Sequence, residues 1–234
     1  MTTTRVAAGD QAAVNEATRA RRSFIHHIYE LFFRFTRKRR MRRFEMFLEP
    51  KDDDRVLDVG GTPFNWQYLT TRPKVILLNV AFSDGPPDDT DQFEFIIGDA
   101  RAMEYADRGF PIAYSNSVIE HVGNFEDQKR FANEVRRVGN GVWVQTPARC
   151  FPLEPHYLTP FIHWLPKSWR RRLGRNFTVW GWLERPVQEA VDERVEEIRL
   201  LSRREMKELF PDCEILVERF FLLPRCYIAM RRRI

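Results

Sequence analysis

The sequence predicts an α/β domain built on a seven-stranded, mostly parallel sheet. Between residues 55 and 147, five short apolar segments alternate with helical or loop segments. The second, Lys74–Val80, is almost continuously apolar, which is typical of a parallel strand buried on both faces. Two further strand-like segments near the C-terminus have no room for a helix between them, so we expect antiparallel neighbours.

The predicted strands are short apolar runs that end at polar or turn residues. They are Arg55–Gly60, Lys74–Val80, Phe93–Asp99, Phe110–Ser117, Gly141–Pro147, Glu214–Phe221 and Cys226–Met230. Helical patterns cover 63–69 and 125–138, and a third helix begins at Ser202. Glu205 stands three residues after Ser202, which is the signature of a capping box. Residues 148–200 break this rhythm and are too long for an ordinary connection, so we interpret them as a lid or binding loop.

The chain divides into a basic helical arm, residues 1–49, and a main domain, residues 50–234, that contains the 148–200 insert. The arm holds 11 basic and 5 acidic residues, a net charge of +6. Its apolar residues recur at spacings of three and four, as on one face of a helix. They are Phe24, Ile25, Ile28, Leu31, Phe32 and Phe35. This face either packs on the main domain with the arginines solvated, or residues 19–43 lie on an anionic membrane surface.

The main domain is nearly neutral, with 27 basic and 28 acidic residues. A nucleic-acid partner is therefore disfavoured, because binding DNA or RNA requires a basic surface, and only the arm supplies one. Three cysteines without metal-ligand spacing predict reduced thiols, no metal site and a cytoplasmic protein, with membrane association through the arm as the alternative. No segment has the roughly 18 consecutive apolar residues that a membrane span needs.

Polar and glycine residues stand where the first five strands end. They are Asp58, Gly60, Gly61, Asn79, Asp99, Asn116 and Thr146. The carboxyl ends of parallel strands share one edge of a sheet, which is where such domains bind ligands. The glycines allow a ligand to approach the backbone closely. Asn79 can reach ribose hydroxyls and Asp99 can accept a hydrogen bond from an exocyclic amine, so this edge is suited to a nucleoside.

Four motifs, taken together, resemble those of a known protein family. In order, they are Asp58-Val59-Gly60-Gly61, Gly98-Asp99, Ser115-Asn116-Ser117-Val118-Ile119-Glu120-His121-Val122 and Trp143-Val144-Gln145-Thr146-Pro147. Together, over residues 50–234, they resemble a class I S-adenosylmethionine-dependent methyltransferase, within the small-molecule group often called type 11. The resemblance implies a Rossmann-like sheet with a reversed last strand.

The resemblance also implies which residues bind S-adenosylmethionine. Asp58, Gly60 and Gly61 would border its amino-acid end, and Asn116 would lie behind the methionine moiety. Asn79 would face the ribose, and Asp99 with Ala100 the adenine. Two positions depart from the family pattern. Thr62-Pro63 stands where a third glycine is usual, and Asn79 stands where an acid is usual. Because a neutral amide makes a weaker hydrogen bond than a carboxylate, the second departure lowers the expected cofactor affinity.

Methyl transfer to oxygen also needs a group that takes the acceptor's proton, and histidine suits this at neutral pH. His121 follows the fourth strand, and His156 and His163 lie in the insert. We predict His121 and His156 as catalytic, against the alternative that they cap or pack. Arg170–Arg172 is interpreted as a solvated run, with an acidic or phosphorylated substrate as the alternative.

The sequence thus predicts a methyltransferase that acts on a small-molecule acceptor, with O-methylation favoured. Two other functions are compatible with these motifs. One is a binding module that keeps the fold but has lost catalysis, which the altered glycine loop would explain. The other is a nucleic-acid methyltransferase tethered by the basic arm.

Overall fold

The structure is a computed structural model that describes residues 36–82, 85 and 87–233. Its strands are β1 (Arg55–Val59), β2 (Lys74–Asn79), β3 (Phe93–Ile97), β4 (Phe110–Asn116), β5 (Gly139–Pro147), β6 (Leu153–Glu154), β7 (Thr159–Pro160), β8 (Glu214–Phe220) and β9 (Leu223–Arg231). The main sheet has the order β3-β2-β1-β4-β5-β9-β8. β1 to β5 are parallel, and β9 runs antiparallel to both β5 and β8. The predicted seven-stranded sheet with its reversed last strand is confirmed.

The helices are α1 (36–48), α2 (Phe125–Val138), α3 (Lys167–Leu173), α4 (Val179–Glu184), α5 (Gln188–Glu197) and α6 (Arg203–Leu209). Ser202 and Glu205 form the predicted capping box at the start of α6. Asn124 and Asp127 form a second one, which fixes the start of α2 beyond β4. The segment after the β1 turn is a short 3-10 helix, Pro63–Tyr68, that begins with proline.

Each face of the sheet is covered by helices. Side chains from α2 and α6 cover one face, where Phe131, Val135 and Met206 are fully buried. The described part of α1 covers the other face, where Phe44 packs edge-on against Trp66, Tyr114 and Trp143.

The arm predicted over residues 1–49 is only partly described. Phe24, Ile25, Ile28, Leu31, Phe32 and Phe35 lie outside the described residues. Within α1, Met41, Phe44 and Leu48 are buried against the sheet, whereas Arg39 and Arg42 are exposed. In the described segments of the chain, no helix combines the length and the hydropathy needed to cross a bilayer.

The insert is not the irregular loop that the sequence suggests. It contains the β6–β7 hairpin and helices α3, α4 and α5, and it has an apolar cluster of its own. Val191 and Val195, four residues apart on α5, are fully buried with Tyr157. The insert is therefore a packed unit with its own core rather than an open loop.

Candidate functional site

The turn after β1 accepts only glycine at its two central positions. Gly60 has φ of 74°, a region that L side chains rarely adopt. A Cβ on Gly61 would lie 1.9 Å from Oδ2 of Asp58, so even alanine cannot fit unless Asp58 moves. The backbone of this turn therefore runs directly over the Asp58 carboxyl group.

Asp58 is fully buried, and only one of its two carboxylate oxygens has a hydrogen-bond partner among the described residues. Trp66 donates from its indole nitrogen to Oδ2 of Asp58 at 2.8 Å, whereas Oδ1 has no partner among the described residues. Burial raises the pKa of Asp58 to about 7, and the Trp66 hydrogen bond opposes this rise only in part. An unpaired buried acceptor beside a glycine turn fits a cationic donor such as the ammonium group of S-adenosylmethionine. This turn therefore fits the predicted cofactor.

The other predicted cofactor residues lie at the same edge of the sheet. Three of them, Asn79, Asp99 and Asn116, already have hydrogen-bond partners within the protein. Asn79 donates from Nδ2 to the carbonyl oxygen of Gly61 at 3.0 Å, which ties the end of β2 to the β1 turn. Asp99 accepts two hydrogen bonds from the Arg101 guanidinium at its Oδ2, at 2.7 and 3.0 Å. Arg101 holds the pKa of Asp99 below its ordinary value. Ala100, which follows Asp99, packs against the core.

Asn116 is held by a residue that the sequence does not identify as part of the site. Arg40 on α1 donates to Oδ1 of Asn116 at 2.9 Å and to Gln145 at 3.1 Å. It also forms an ion pair of 2.8 Å with Glu218 on β8. The Arg40 side chain is only 6% exposed. It is therefore not solvated, and it links α1 to the ends of β4 and β5.

The structure brings the two predicted catalytic histidines together. His121 follows β4 and His156 lies in the insert, and their Nε2 atoms are 3.1 Å apart. The Nδ1 atom of His121 lies 2.9 Å from Glu197, and that of His156 lies 2.6 Å from Glu154. An ionised carboxylate can only accept hydrogen bonds, so the Nδ1 atom of each ring must carry a hydrogen. In a neutral ring the Nε2 atom then has a lone pair, and each Nε2 lone pair points at the other ring. Two lone pairs at this distance require a proton between them.

The two imidazoles have different environments. Burial lowers the pKa of His121, and the neighbouring His156 lowers it further. Burial also disfavours protonation of His156, but the hydrogen bond and charge of Glu154 outweigh it and hold the His156 pKa above its ordinary value. The shared proton is therefore held mainly by His156, and His121 is the neutral partner.

Glu120 completes this cluster. It is fully buried, and Thr146 donates to its Oε2 at 2.8 Å, but its Oε1 has no partner within the described part of the chain. Burial raises the pKa of Glu120 to about 7. Glu120, His121 and His156 each offer one ligand atom, all within 4.8 Å of one another, which is close enough to hold a metal ion. No recognised ligand spacing reveals this group, because His156 lies 35 residues from His121.

A cavity of about 640 Å³ is lined by Glu154 and Tyr157, which flank His156 in the chain, but by neither histidine of the pair. It lies between the N-terminus of α2 and the insert, and Glu154, which holds His156, forms part of its wall. His163 also lines it, with its Nε2 bonded to the carbonyl oxygen of Arg149 at 2.9 Å. The cavity is large enough for a small molecule.

Comparison with known proteins gives one family and many similar folds. A family model described as a methyltransferase domain matches residues 68–141, from the end of the 3-10 helix into β5. The match begins after the β1 turn, where Thr62 and Pro63 depart from the usual glycine pattern. No curated protein matches the chain.

Three similar solved structures are 13–15% identical to this chain. A S-adenosylmethionine-dependent methyltransferase from Methanosarcina mazei is 15% identical, with 78% of this chain and 94% of that chain covered and a TM-score of 0.44. A putative zinc-dependent alcohol dehydrogenase from Rhodobacter sphaeroides is 14% identical, with 81% and 88% covered and a TM-score of 0.50. Phosphoethanolamine N-methyltransferase 2 from Haemonchus contortus, solved with S-adenosylhomocysteine, is 13% identical, with 74% and 37% covered and a TM-score of 0.48.

About a third of the chain matches the methyltransferase domain, and the sheet has the strand order of the Rossmann-like methyltransferase fold. Both findings support a class I S-adenosylmethionine-dependent methyltransferase, and with it S-adenosylmethionine as the cofactor.

Proposed function

We propose that this protein is a methyltransferase that methylates an oxygen atom of a small molecule bound beneath the insert, and that the His121–His156 pair takes the acceptor's proton. The observation that carries the proposal is the convergence of the two Nε2 atoms, 3.1 Å apart, beside a cavity of about 640 Å³. A purely structural role would not require carboxylates at both Nδ1 atoms together with two Nε2 atoms that face each other.

The cofactor supplies an electrophilic methyl group, and the protein aligns the acceptor with it. Alignment alone is worth about 7–11 kcal/mol of the barrier in well-oriented reactions. The packed insert provides this alignment by closing over the carboxyl edge of β4 and β5. When the acceptor hydroxyl loses its proton, the proton passes to Nε2 of the pair. The carboxylates of Glu154 and Glu197 stabilise the resulting cation through Nδ1 of each ring.

On this proposal, Asp58, Gly60 and Gly61 hold the amino-acid end of the cofactor, and Oδ1 of Asp58 receives its ammonium group. Asn79 faces the ribose, and Asn116, positioned by Arg40, lies behind the methionine moiety. Asp99 and Ala100 border the adenine. The Arg101 side chain, which is 40% exposed, moves aside when the adenine amine binds to Asp99.

Replacing Asp99 with alanine is expected to weaken cofactor binding about ten-fold, because a hydrogen bond to a charged group is lost. Isothermal titration calorimetry with S-adenosylhomocysteine measures the affinity. Asp91→Ala is the matched control, because Asp91 is an exposed acid in the loop before β3. Equal affinity of wild-type protein and Asp99→Ala would show that the adenine lies elsewhere.

The rate of methyl transfer is expected to rise with pH, because the pair must lose its shared proton before it can accept another. The His156 pKa lies above its ordinary value of about 6.5, so the rise falls above that pH. In the His156→Gln variant the remaining base is His121, whose pKa is lowered, so any residual rate should rise at a lower pH. A rate that is flat between pH 6 and 9 in wild-type protein would contradict the assignment of the base.

The test of the whole proposal combines binding and turnover. Calorimetry should show binding of both S-adenosylmethionine and S-adenosylhomocysteine, and radiolabelled S-adenosylmethionine should transfer its methyl group to a hydroxyl compound from a panel of alcohols, phenols, amines and thiols. Transfer only to amines would contradict O-methylation. The assay is repeated after treatment with a chelator. Activity that is lost and then restored by zinc would show that a metal ion occupies the place of the shared proton, and that the pair is not the base.

A further inference from the structure

Every acidic side chain that lines the cavity is already compensated. Glu154 accepts from His156 and from the backbone amide of Tyr157. Glu196 is paired with Lys167 and Arg171. Asp127 belongs to the α2 capping box and lies near Arg101. These carboxylates therefore have no free charge to offer a ligand.

Two of the cations that line the cavity lack a direct ion pair with a described residue, although Arg170 is near enough to Glu196 to help lower the pKa of that carboxyl group. Arg149 and Arg170 form no ion pair with any described residue, whereas Lys167 and Arg199 are paired with acids. The Nε atom of Arg170 is buried without a hydrogen-bond partner among the described residues. A buried guanidinium donor that lacks an acceptor is costly, so its presence in a cavity wall indicates that a bound molecule supplies the acceptor.

Two further polar atoms in the same wall are buried and unpaired. The hydroxyl group of Tyr157, a residue only 1% exposed, has no partner in the described chain. A tyrosine hydroxyl group carries its proton at neutral pH, so this one can donate. His163 uses its Nε2 hydrogen on the Arg149 carbonyl oxygen, which leaves its unpaired Nδ1 as an acceptor.

We infer that the cavity binds a small acceptor that carries an anionic group, carboxylate or phosphate, together with a hydroxyl group. Arg170 and Tyr157 donate to the anion, Arg149 adds positive charge at the exposed side of the cavity, and Nδ1 of His163 accepts from a hydroxyl group of the acceptor. The inference rests on the proposed function for the role of the cavity, but the binding chemistry can be tested without the methyl-transfer reaction.

The test uses matched aromatic probes and the whole 234-residue chain without cofactor. Isothermal titration calorimetry is carried out with 3-hydroxybenzoate, with 3-hydroxyphenyl phosphate and with uncharged 3-hydroxybenzyl alcohol. We expect at least one anion to bind, and the alcohol to bind at least ten-fold more weakly than that anion, because a charge-assisted hydrogen bond is lost. Comparison of the two anions identifies carboxylate or phosphate as the preferred group.

Site-specific variants then assign the anion to the cavity. Arg170→Gln should weaken anion binding about 10- to 100-fold, and Tyr157→Phe, which removes only the hydroxyl group, about three- to ten-fold. Arg172→Gln is the control, because Arg172 is an exposed neighbour on α3 outside the cavity wall, and it should bind as wild type does. Neither substitution at the cavity breaks a side-chain hydrogen bond in the described structure, so folding should be retained, which circular dichroism checks.

Three outcomes would overturn the inference. They are no anion binding at millimolar concentration, equal binding of the neutral alcohol, and equal weakening by Arg170→Gln and Arg172→Gln. Each can be separated from failure of the proposed function. If anions do not bind but methyl transfer to a neutral alcohol is observed, the inference alone is wrong. If anions bind in an Arg170-dependent manner but S-adenosylhomocysteine does not bind, the proposed function alone is wrong.

Discussion

Replacing His156 with glutamine is expected to lower kcat about 100- to 10,000-fold, the range by which general bases contribute to catalysis. Glutamine can still donate to Glu154, so the β6–β7 hairpin should keep its position, but it offers no basic nitrogen to the acceptor's proton. His121 then loses the partner that shares its proton. Steady-state kinetics with the best acceptor from the panel measures kcat, and calorimetry with S-adenosylhomocysteine should show unchanged cofactor affinity.

The matched control for this variant is His163→Gln. His163 lines the same cavity but is bonded to the Arg149 carbonyl oxygen rather than to the pair. It should change KM more than kcat, because it contacts the acceptor without taking its proton. Equal loss of kcat in both variants would mean that the insert as a whole, rather than the base, limits the rate.

The largest effect on stability is expected at Arg40. Replacing it with alanine should lower the free energy of unfolding by about 3–5 kcal/mol, because breaking a buried ion pair leaves the partner charge uncompensated. That partner is Glu218, whose side chain is 11% exposed. Asn116 and Gln145 also lose a donor. Since domains are stable by only about 5–15 kcal/mol, this variant should be close to unfolding at 37 °C.

Urea denaturation followed by circular dichroism measures this change. Arg42→Ala is the control, because Arg42 is exposed on the same helix, and it should remain within about 0.5 kcal/mol of wild type. The double variant Arg40→Met/Glu218→Met should recover most of the loss, because apolar residues of similar size replace a buried ion pair at little cost. A loss for Arg40→Ala no larger than that for Arg42→Ala would show that α1 is not anchored by this residue.

The sheet could be predicted from the sequence because its signals are local. Val75 to Leu78 form a continuous apolar run, and this pattern has few alternatives to a buried parallel strand. The capping box at Ser202 and Glu205 is equally local, since both partners lie within four residues. The placement of Asp58, Asn79, Asp99 and Asn116 at one edge follows directly from the strand order.

The remaining features depend on contacts between distant segments, which no local pattern reveals. Arg40 belongs to a run of arginines that the sequence predicts to be solvated. It is buried instead because it pairs with Glu218, and no local pattern could show this because Glu218 lies 178 residues further along the chain. The pairing of His121 with His156 requires the insert to fold back over β4. The helices of the insert are obscured in the sequence by its prolines, tryptophans and arginines, and only the four-residue spacing of Val191 and Val195 indicates a buried helical face.

The position of Arg40 has a consequence for the order in which this chain can mature on the ribosome. The helix that carries it leaves the exit tunnel well before Glu218 and Cys226, two of its partners, which follow it by 178 and 186 residues. At roughly 5–20 residues per second, about ten to forty seconds separate the synthesis of Arg40 from that of Glu218. Over that interval Arg40 cannot form its ion pair with Glu218. We therefore expect nascent chains stalled before residue 218 to depend more on a chaperone than chains in which Glu218 has emerged.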